Sequence, residues 1–187
     1  MKRLNQFINE YIVKKKLDKP IDSEDHYEYY PETKKELIKN IVEVFNSGKT
    51  NLNCIDTSKI TDMSNLFDSS NYNKSLDNID ISKWNVSNVK YMQFMFDGYE
   101  NFNCDLSNWD VSKVENMNYM FQYCKNFNCD LSKWDVKNVE TMTEMFQNCE
   151  KFEGKGLENW DVSNIINMRD MFDGCTSLKN KPSWYKE

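Results

Sequence analysis

Residues 127–149 of the chain read FNCDLSKWDVKNVETMTEMFQNC, and residues 102–124 read FNCDLSNWDVSKVENMNYMFQYC. The two stretches share every Phe, Cys, Leu, Trp, Val and Met. The same unit is marked by tryptophans at Trp84, Trp109, Trp134 and Trp160, which are 25, 25 and 26 residues apart. A fixed period of this length is typical of stacked repeats, because no single unit can bury its apolar residues alone.

Five such repeats occupy residues 51–178. The first is degenerate, because Ile55-Asp56-Thr57 stands where the others have Trp-(Asp/Asn)-Val, and four extra residues follow it near positions 70–78. Equivalent apolar residues of successive repeats should form continuous buried columns. The residues that we predict to form this core are Trp84, Trp109, Trp134, Trp160, Met117, Met142, Phe96, Phe121, Phe146 and Phe172.

Each repeat has two halves with different patterns. Val114, Met117, Phe121 and Cys124 follow the i, i+3, i+7, i+10 spacing that is typical of one face of a helix. Ser112 precedes this stripe at the position of a helix N-cap. Residues 106–111 contain Trp and Val, which favour a short strand. We therefore predict an α/β repeat solenoid, leucine-rich-repeat-like, with one short strand and one short helix in each coil of about 25 residues.

The flanking segments carry no repeat. Residues 1–50 are predicted to form a helical N-terminal cap, with one helix over residues 1–17 and a second that starts after Thr33. Thr33 and Glu36 have the spacing of a capping box, and Gly48 follows the last apolar residue of the second stripe. A separate binding module in residues 1–50 is the alternative. Residues 179–187, which contain Trp184, are predicted to be a C-terminal cap segment.

The repeat unit resembles the BspA-type leucine-rich repeat, also described as the DUF285 or mycoplasma lipoprotein-type repeat, over about residues 52–178. The resemblance implies a solenoid that binds proteins, and it implies no catalytic residues. Family members are often bacterial surface proteins, and similar repeats occur in phage and giant-virus genomes. The start of this chain shows neither a signal-peptide pattern nor a lipid-attachment cysteine, so we expect a cytoplasmic protein, in a bacterial cell or in the host of a phage.

Composition narrows the classes of function. The net charge of -6 disfavours direct binding to nucleic acid phosphates, and no apolar run approaches the length of a membrane span. The single histidine, His26, would have to serve any histidine-dependent triad, and no glycine-rich phosphate loop is present. We expect no enzymatic activity and no cofactor.

Two polar columns could suggest metal binding. Cys124, Cys149 and Cys175 share one repeat position, and Cys104 and Cys129 share another. Burial as small apolar side chains is the favoured interpretation, with zinc as the alternative, because four ligands must converge in a zinc site. An acidic column follows the tryptophans: Asp56, Asn85, Asp110, Asp135 and Asp161. Asx turns that satisfy backbone N–H groups are favoured there over calcium ligation, and no metal is expected.

One part of the outer face differs from the rest. The residues that we predict to bind a protein partner are Tyr91, Phe94, Tyr119, Tyr123, Glu144 and Asp170. Exposed aromatic side chains are frequent interface anchors; the alternative is that these rings pack on each other or under the loop near residues 70–78. The predicted function is non-enzymatic protein binding through this face. A phage or mobile-element inhibitor of a host defence enzyme is the alternative, and a surface adhesin is a weaker one.

Overall fold

The computed structural model describes residues 27–67 and 78–186. Within them, α1 (Lys34–Asn46) is the one α-helix, and a single 3-10 turn covers Leu157–Asn159. No β-strand forms in these two ranges. Neighbouring repeats are joined instead by isolated parallel bridges, which link Asp62 to Tyr91, Tyr91 to Asn116, Asn116 to Thr141 and Thr141 to Asn167.

The prediction of an α/β repeat solenoid is therefore wrong, and with it the leucine-rich-repeat-like coil of one strand and one helix. The described part of the repeats is built of turns. In the third repeat, i+3 to i hydrogen bonds run from Trp109 N to Leu106 O, Val114 N to Val111 O, Met120 N to Met117 O, Cys124 N to Phe121 O and Phe127 N to Cys124 O, at 2.9–3.3 Å.

These turns explain why the stripe resembled a helix. A buried residue at the first and last position of each four-residue turn recurs about every three residues, and over a dozen residues this spacing is close to the helical period of 3.6. Tyr119 interrupts any helix, because its φ is +60°. Ser112 does not cap a helix either, since the N–H of Glu115, which such a cap would bind, donates to Lys90 O at 2.8 Å.

Backbone hydrogen bonds between repeats replace the ladders of regular sheets. The N–H groups of alternate residues in one repeat donate to carbonyls of the next repeat. From the third to the fourth repeat the pairs are Met117 to Thr141, Tyr119 to Thr143, Phe121 to Met145 and Tyr123 to Gln147, at 2.8–3.0 Å. The extended pieces are too short to count as strands, because each ends in another turn.

An aromatic column runs through the stack. Phe67, Phe96, Phe121, Phe146 and Phe172 are buried, and successive rings are stacked with centroids 5.4–5.9 Å apart. All ten residues predicted as core are at most 5% exposed. Stacked rings of this kind contribute about 0.5–1.5 kcal/mol per pair beyond the burial of their area.

Each indole also ties its repeat to the preceding one. The Nε1 atoms donate to main-chain carbonyls 27–32 residues earlier, at 2.8–3.2 Å. The pairs are Trp84 with Leu52, Trp109 with Ile81, Trp134 with Leu106, Trp160 with Leu131 and Trp184 with Leu157. Trp184 thus repeats the bond, and its ring stacks on Trp160 with centroids 6.3 Å apart.

The helix α1 packs against the first repeat. Thr33 accepts a hydrogen bond from Glu36 N at 3.2 Å, and Gly48 adopts the left-handed conformation just past the end, as the sequence predicts. Leu37, Ile41 and Val44 of α1 are buried in the same core as the repeats. The helix predicted for residues 1–17, His26 and most of the loop at 70–78 lie outside the described residues.

Candidate protein-binding surface

Two columns of the outer face have an unusual backbone conformation. In each repeat a turn begins at the first Met, and the third residue of that turn has positive φ. From the first repeat to the fifth, these residues are Asn65, Phe94, Tyr119, Glu144 and Asp170, with φ between 49° and 60°. The third residue of the next turn is Gly98, Tyr123, Asn148 or Gly174, again with positive φ. Only glycine adopts this region without steric cost, so bulky residues there store local strain.

Five of the six predicted partner-binding residues fall in these two columns; Tyr91 is the exception. We call Tyr91, Phe94, Tyr119 and Tyr123 the aromatic cluster. The rings of Phe94 and Tyr119 are stacked, with centroids 4.5 Å apart and planes 7° from parallel. Tyr91 is 41% exposed and Tyr123 is 45% exposed. The two stacked rings therefore pack on each other, as the alternative interpretation held, while both stay half-buried beside two exposed tyrosines.

The two acidic members lie further along the same column and contact polar side chains. The Glu144 carboxylate accepts a hydrogen bond from Gln122 Nε2 at 2.7 Å and lies 4.0 Å from the Arg169 guanidinium. Asp170 pairs with Arg169 Nε at 3.0 Å. The column thus changes from aromatic to acidic between the third and fourth repeats, and Arg169 belongs to this surface although the sequence analysis did not select it.

A buried acceptor belongs to the residue before Phe94 in the sequence. Gln93 directly precedes Phe94, and its Oε1 atom has no hydrogen-bond partner within the described ranges. Buried polar atoms almost always have a partner, and an atom without one costs roughly 1–3 kcal/mol.

Near Tyr91, the hydrogen bond from Lys90 is the main reason that the pKa of Glu115 lies below its usual range, and a hydrogen bond from Tyr91 contributes.

The cysteines of the first column are structural. The thiols of Cys124, Cys149 and Cys175 donate to the carbonyls of Phe96, Phe121 and Phe146 in the preceding repeats, with S to O distances of 2.9–3.0 Å. Burial raises the pKa of Cys124 and Cys149 well above the ordinary value, and that of Cys175 to about 12. A thiol with a raised pKa is a poor nucleophile and a poor metal ligand.

In the second cysteine column, burial raises the pKa of Cys129 to about 11, and Cys104 is half-buried. Among residues 27–67 and 78–186, no three His, Cys, Asp or Glu side chains are grouped so that they could hold a metal ion.

The acidic column beside the tryptophans forms Asx turns, as predicted. In every repeat the side-chain oxygen accepts from the backbone N–H two residues later, at 3.0–3.2 Å. The pairs are Asp56 with Ser58, Asn85 with Ser87, Asp110 with Ser112, Asp135 with Lys137 and Asp161 with Ser163. A second column makes the same turn from Asp80, Asp105 and Asp130.

These turns predict a loss of stability in acid. Hydrogen bonds from the serine two residues later lower the pKa of Asp105, Asp110 and Asp161 below the usual aspartate value of 3.8. Because each folded-state pKa is lower than the unfolded one, the stabilisation is complete above the unfolded value and is lost as the pH falls through the folded value. We expect the melting temperature, measured by circular dichroism, to decrease as the pH is lowered from about 5 to about 2.

The chain itself offers the control for this titration. Asn85 makes the same turn with an amide oxygen that does not titrate. The triple variant Asp105→Asn, Asp110→Asn, Asp161→Asn should therefore fold normally at neutral pH and show a smaller drop in acid. A variant as sensitive to acid as the wild type would show that these carboxylates do not contribute.

One feature of the last repeat was not predicted from the sequence. Ile166 is 84% exposed, in a column that holds Lys90, Glu115 and Glu140 in the preceding repeats. An isoleucine among charged residues of the same register was the available signal. Ile166 lies at a cleft of about 520 Å³ that separates the last repeat from residues 181–186.

Comparison with known proteins places the chain in a family. The sequence profile of the family described as "Mycoplasma protein of unknown function, DUF285" matches residues 36–156 and 72–185. No curated protein and no solved structure gives a significant match. No helix in the described part of the chain is both long and apolar enough to cross a membrane. The two profile matches together cover most of the chain, and the protein therefore belongs to the DUF285 family.

Proposed function

We propose that this protein is a non-enzymatic binding module that holds another protein against its aromatic cluster. The observation that carries the proposal is the stacked pair of Phe94 and Tyr119, flanked by the exposed rings of Tyr91 and Tyr123. Tyrosine and phenylalanine offer a large contact area with few rotatable bonds, so they lose little conformational entropy when a partner covers them.

The backbone beneath the cluster is held in place before a partner arrives. Phe94 N donates to Asn118 O at 3.0 Å, Tyr119 N to Thr143 O at 2.9 Å and Tyr123 N to Gln147 O at 2.8 Å. These bonds keep three bulky residues at positive φ, a conformation that isolated turns would not retain. A preorganised surface of this kind improves affinity, because less ordering has to occur on binding.

The chemistry of the surface favours a partner with apolar and basic side chains. Glu144 and Asp170 continue the column of Phe94 and Tyr119, and the chain carries a net charge of -6. An arginine or lysine could lie over an exposed tyrosine ring and reach these carboxylates.

Residue chemistry supports a non-enzymatic role. The buried thiols have raised pKa values and donate to main-chain carbonyls, which disfavours a cysteine nucleophile. Asp105 and Asp110 of the Asx columns accept from backbone N–H groups, and those hydrogen bonds lower their pKa values, so they are poor general acids near neutral pH.

The double variant Phe94→Ala, Tyr119→Ala tests the proposal. We expect it to reduce capture of partner proteins by at least about tenfold, because truncation of a central aromatic anchor costs roughly 2 kcal/mol or more in binding. The measurement is affinity capture from the native cell with quantitative mass spectrometry, followed by titration of each captured protein in purified form. The melting temperature should change by only a few degrees, because both rings are half-buried.

The matched control is another pair that spans two consecutive repeats, the third and the fourth, namely Asn108→Ala with Lys133→Ala. These exposed residues are joined across repeats by a 3.0 Å hydrogen bond, and their loss should leave capture unchanged. The proposal fails if both double variants retain the same proteins as the wild type. A large loss of stability in Phe94→Ala, Tyr119→Ala would instead show that the rings serve the fold.

A further inference from the structure

The last repeat carries a row of backbone N–H groups that have no acceptor among the described residues. In each of the second, third and fourth repeats, four N–H groups at alternate positions donate to the next repeat, at 2.7–3.0 Å. In the fourth repeat these are Met142, Glu144, Phe146 and Asn148. The equivalent N–H groups of the fifth repeat belong to Met168, Asp170, Phe172 and Gly174, and none has an acceptor within the described residues.

The row also has a defined pattern at its ends. The carbonyl of Glu140 accepts from Ile166 N at 2.8 Å, and that of Glu150 accepts from Ser177 N at 3.0 Å. Their equivalents in the last repeat are the carbonyls of Ile166 and Thr176, which accept no backbone bond in the part of the chain described. The edge thus presents one acceptor, four donors and one acceptor. We call this row, over residues 166–176, the open edge.

A second copy of the chain does not complement the open edge. If two open edges met about a twofold axis, the four central donors of one copy would face the four donors of the other. Head-to-tail stacking would need the carbonyl face of the first repeat, over Asp62 and Ser64. The helix α1 packs there, and Lys34 Nζ contacts the Asp62 carboxylate at 3.3 Å and Ser64 Oγ at 2.8 Å. Self-association through this edge is therefore disfavoured at both ends.

The surroundings of the open edge leave room for a polypeptide. The cleft of about 520 Å³ lies beside Ile166, Met168 and Asp170, with Lys181, Tyr185 and Lys186 on its other side. Ile166 supplies an exposed apolar contact at one end of the row. Main-chain bonds along an edge provide affinity, while side-chain contacts of this kind provide selectivity.

We propose that the open edge docks a segment of another protein that has the backbone form of the repeat itself, parallel to residues 166–176. The segment presents carbonyl oxygens at four alternate residues to Met168, Asp170, Phe172 and Gly174. Twelve bonds of this geometry join the second to the fifth repeats among the described residues, so the edge is already shaped for such a partner. This surface is distinct from the aromatic cluster, and the two proposals stand or fall separately.

The test uses the full-length chain, labelled for amide hydrogen exchange by NMR, and a synthetic peptide of residues 136–152 with blocked termini. This peptide carries the four carbonyls that the third repeat uses, those of Thr141, Thr143, Met145 and Gln147. In the free chain, Met168 and Asp170 should exchange much faster than Met142 and Glu144. At saturating peptide, their exchange should slow by at least about tenfold, while Met142 and Glu144 stay as they were.

Two controls address the carbonyls and the apolar contact. Esters in place of the amides after Thr141 and Thr143 weaken those carbonyls as acceptors, and should weaken peptide binding about fivefold or more. In the protein, Ile166→Glu restores the acidic residue of the preceding repeats. It should leave thermal stability unchanged, because the side chain is 84% exposed, and weaken peptide binding about threefold or more.

Three results would each overturn the proposal. The first is slow exchange of Met168 and Asp170 in the free chain, which would mean that the edge is already paired. The second is no slowing of their exchange at about 1 mM peptide. The third is equal binding of the ester-containing peptide. Because Phe94→Ala, Tyr119→Ala leaves the open edge intact, peptide binding to that variant should match the wild type, which separates this proposal from the function proposed for the aromatic cluster.

Discussion

Replacement of Trp109 by alanine is expected to lower the free energy of unfolding by roughly 3–5 kcal/mol, the range for large-to-small changes at buried aromatic residues. Trp109 is 2% exposed and lies between the repeats on either side of it. Its ring lies 6.4 Å from Phe96, and its Nε1 donates to Ile81 O at 3.2 Å. The truncation opens a cavity and also removes one of the two hydrogen bonds to the Ile81 carbonyl, which keeps the one from Trp84 N at 3.0 Å.

The matched control is Trp184→Ala at the end of the stack. Trp184 makes the same bond, to Leu157 O at 2.8 Å, but it is only partly buried. We expect a loss of roughly 1–2 kcal/mol, since less apolar area is removed. Equilibrium urea unfolding, followed by circular dichroism, measures both. A smaller loss for Trp109→Ala than for Trp184→Ala would contradict the assignment of the indole column as the central tie between repeats.

Replacement of Gly156 by alanine is the second change with a large expected effect. Gly156 has a φ of +90° and precedes the 3-10 turn Leu157–Asn159. A Cβ atom there would overlap the backbone N and Cα of Ser132 in the preceding repeat. Because a backbone cannot rotate away as a flexible side chain can, the two repeats would have to separate locally. Left-handed strain and overpacking together suggest a loss of roughly 3 kcal/mol or more.

Gly98→Ala isolates the conformational part of that cost. Gly98 also has positive φ, at +78°, but an added Cβ would meet no described atom within 4 Å. Tyr123 and Asn148 occupy the same register in later repeats with φ of 58° and 60°, so side chains are accepted there. We expect a loss of about 1 kcal/mol, from the left-handed conformation alone. Equal losses in the two variants, measured by urea unfolding, would mean that the contact with Ser132 is not tight.

Much of the interior could be predicted from sequence. The tryptophan, methionine and phenylalanine columns repeat at a constant period, and apolar residues at a constant period have to share one buried core. The Asx turns were predictable for a local reason, because an Asp or Asn side chain reaches the N–H two residues later whatever surrounds it. The cap of α1 by Thr33 and Glu36 is local in the same way.

The secondary structure of the repeats was mispredicted because its cause is not local. A spacing of three to four residues fits both a helix and a series of turns, and the competing signal is the left-handed backbone at Phe94, Tyr119 and Glu144. Nothing about these three side chains favours that conformation. It is retained because their N–H groups donate to carbonyls in the following repeat.

The amino-acid sequence by itself determined the repeat period, the membership of the buried columns, the Asx turns and the family. Only the tertiary structure decided that the repeats are turns rather than strands and helices, that Phe94 stacks on Tyr119, and that four donors of the last repeat have no acceptor in the described part of the chain. The physical reason is the range of the forces involved. Side-chain burial and Asx turns are encoded within one repeat, whereas the open hydrogen bonds depend on whether a neighbouring repeat is present to accept them.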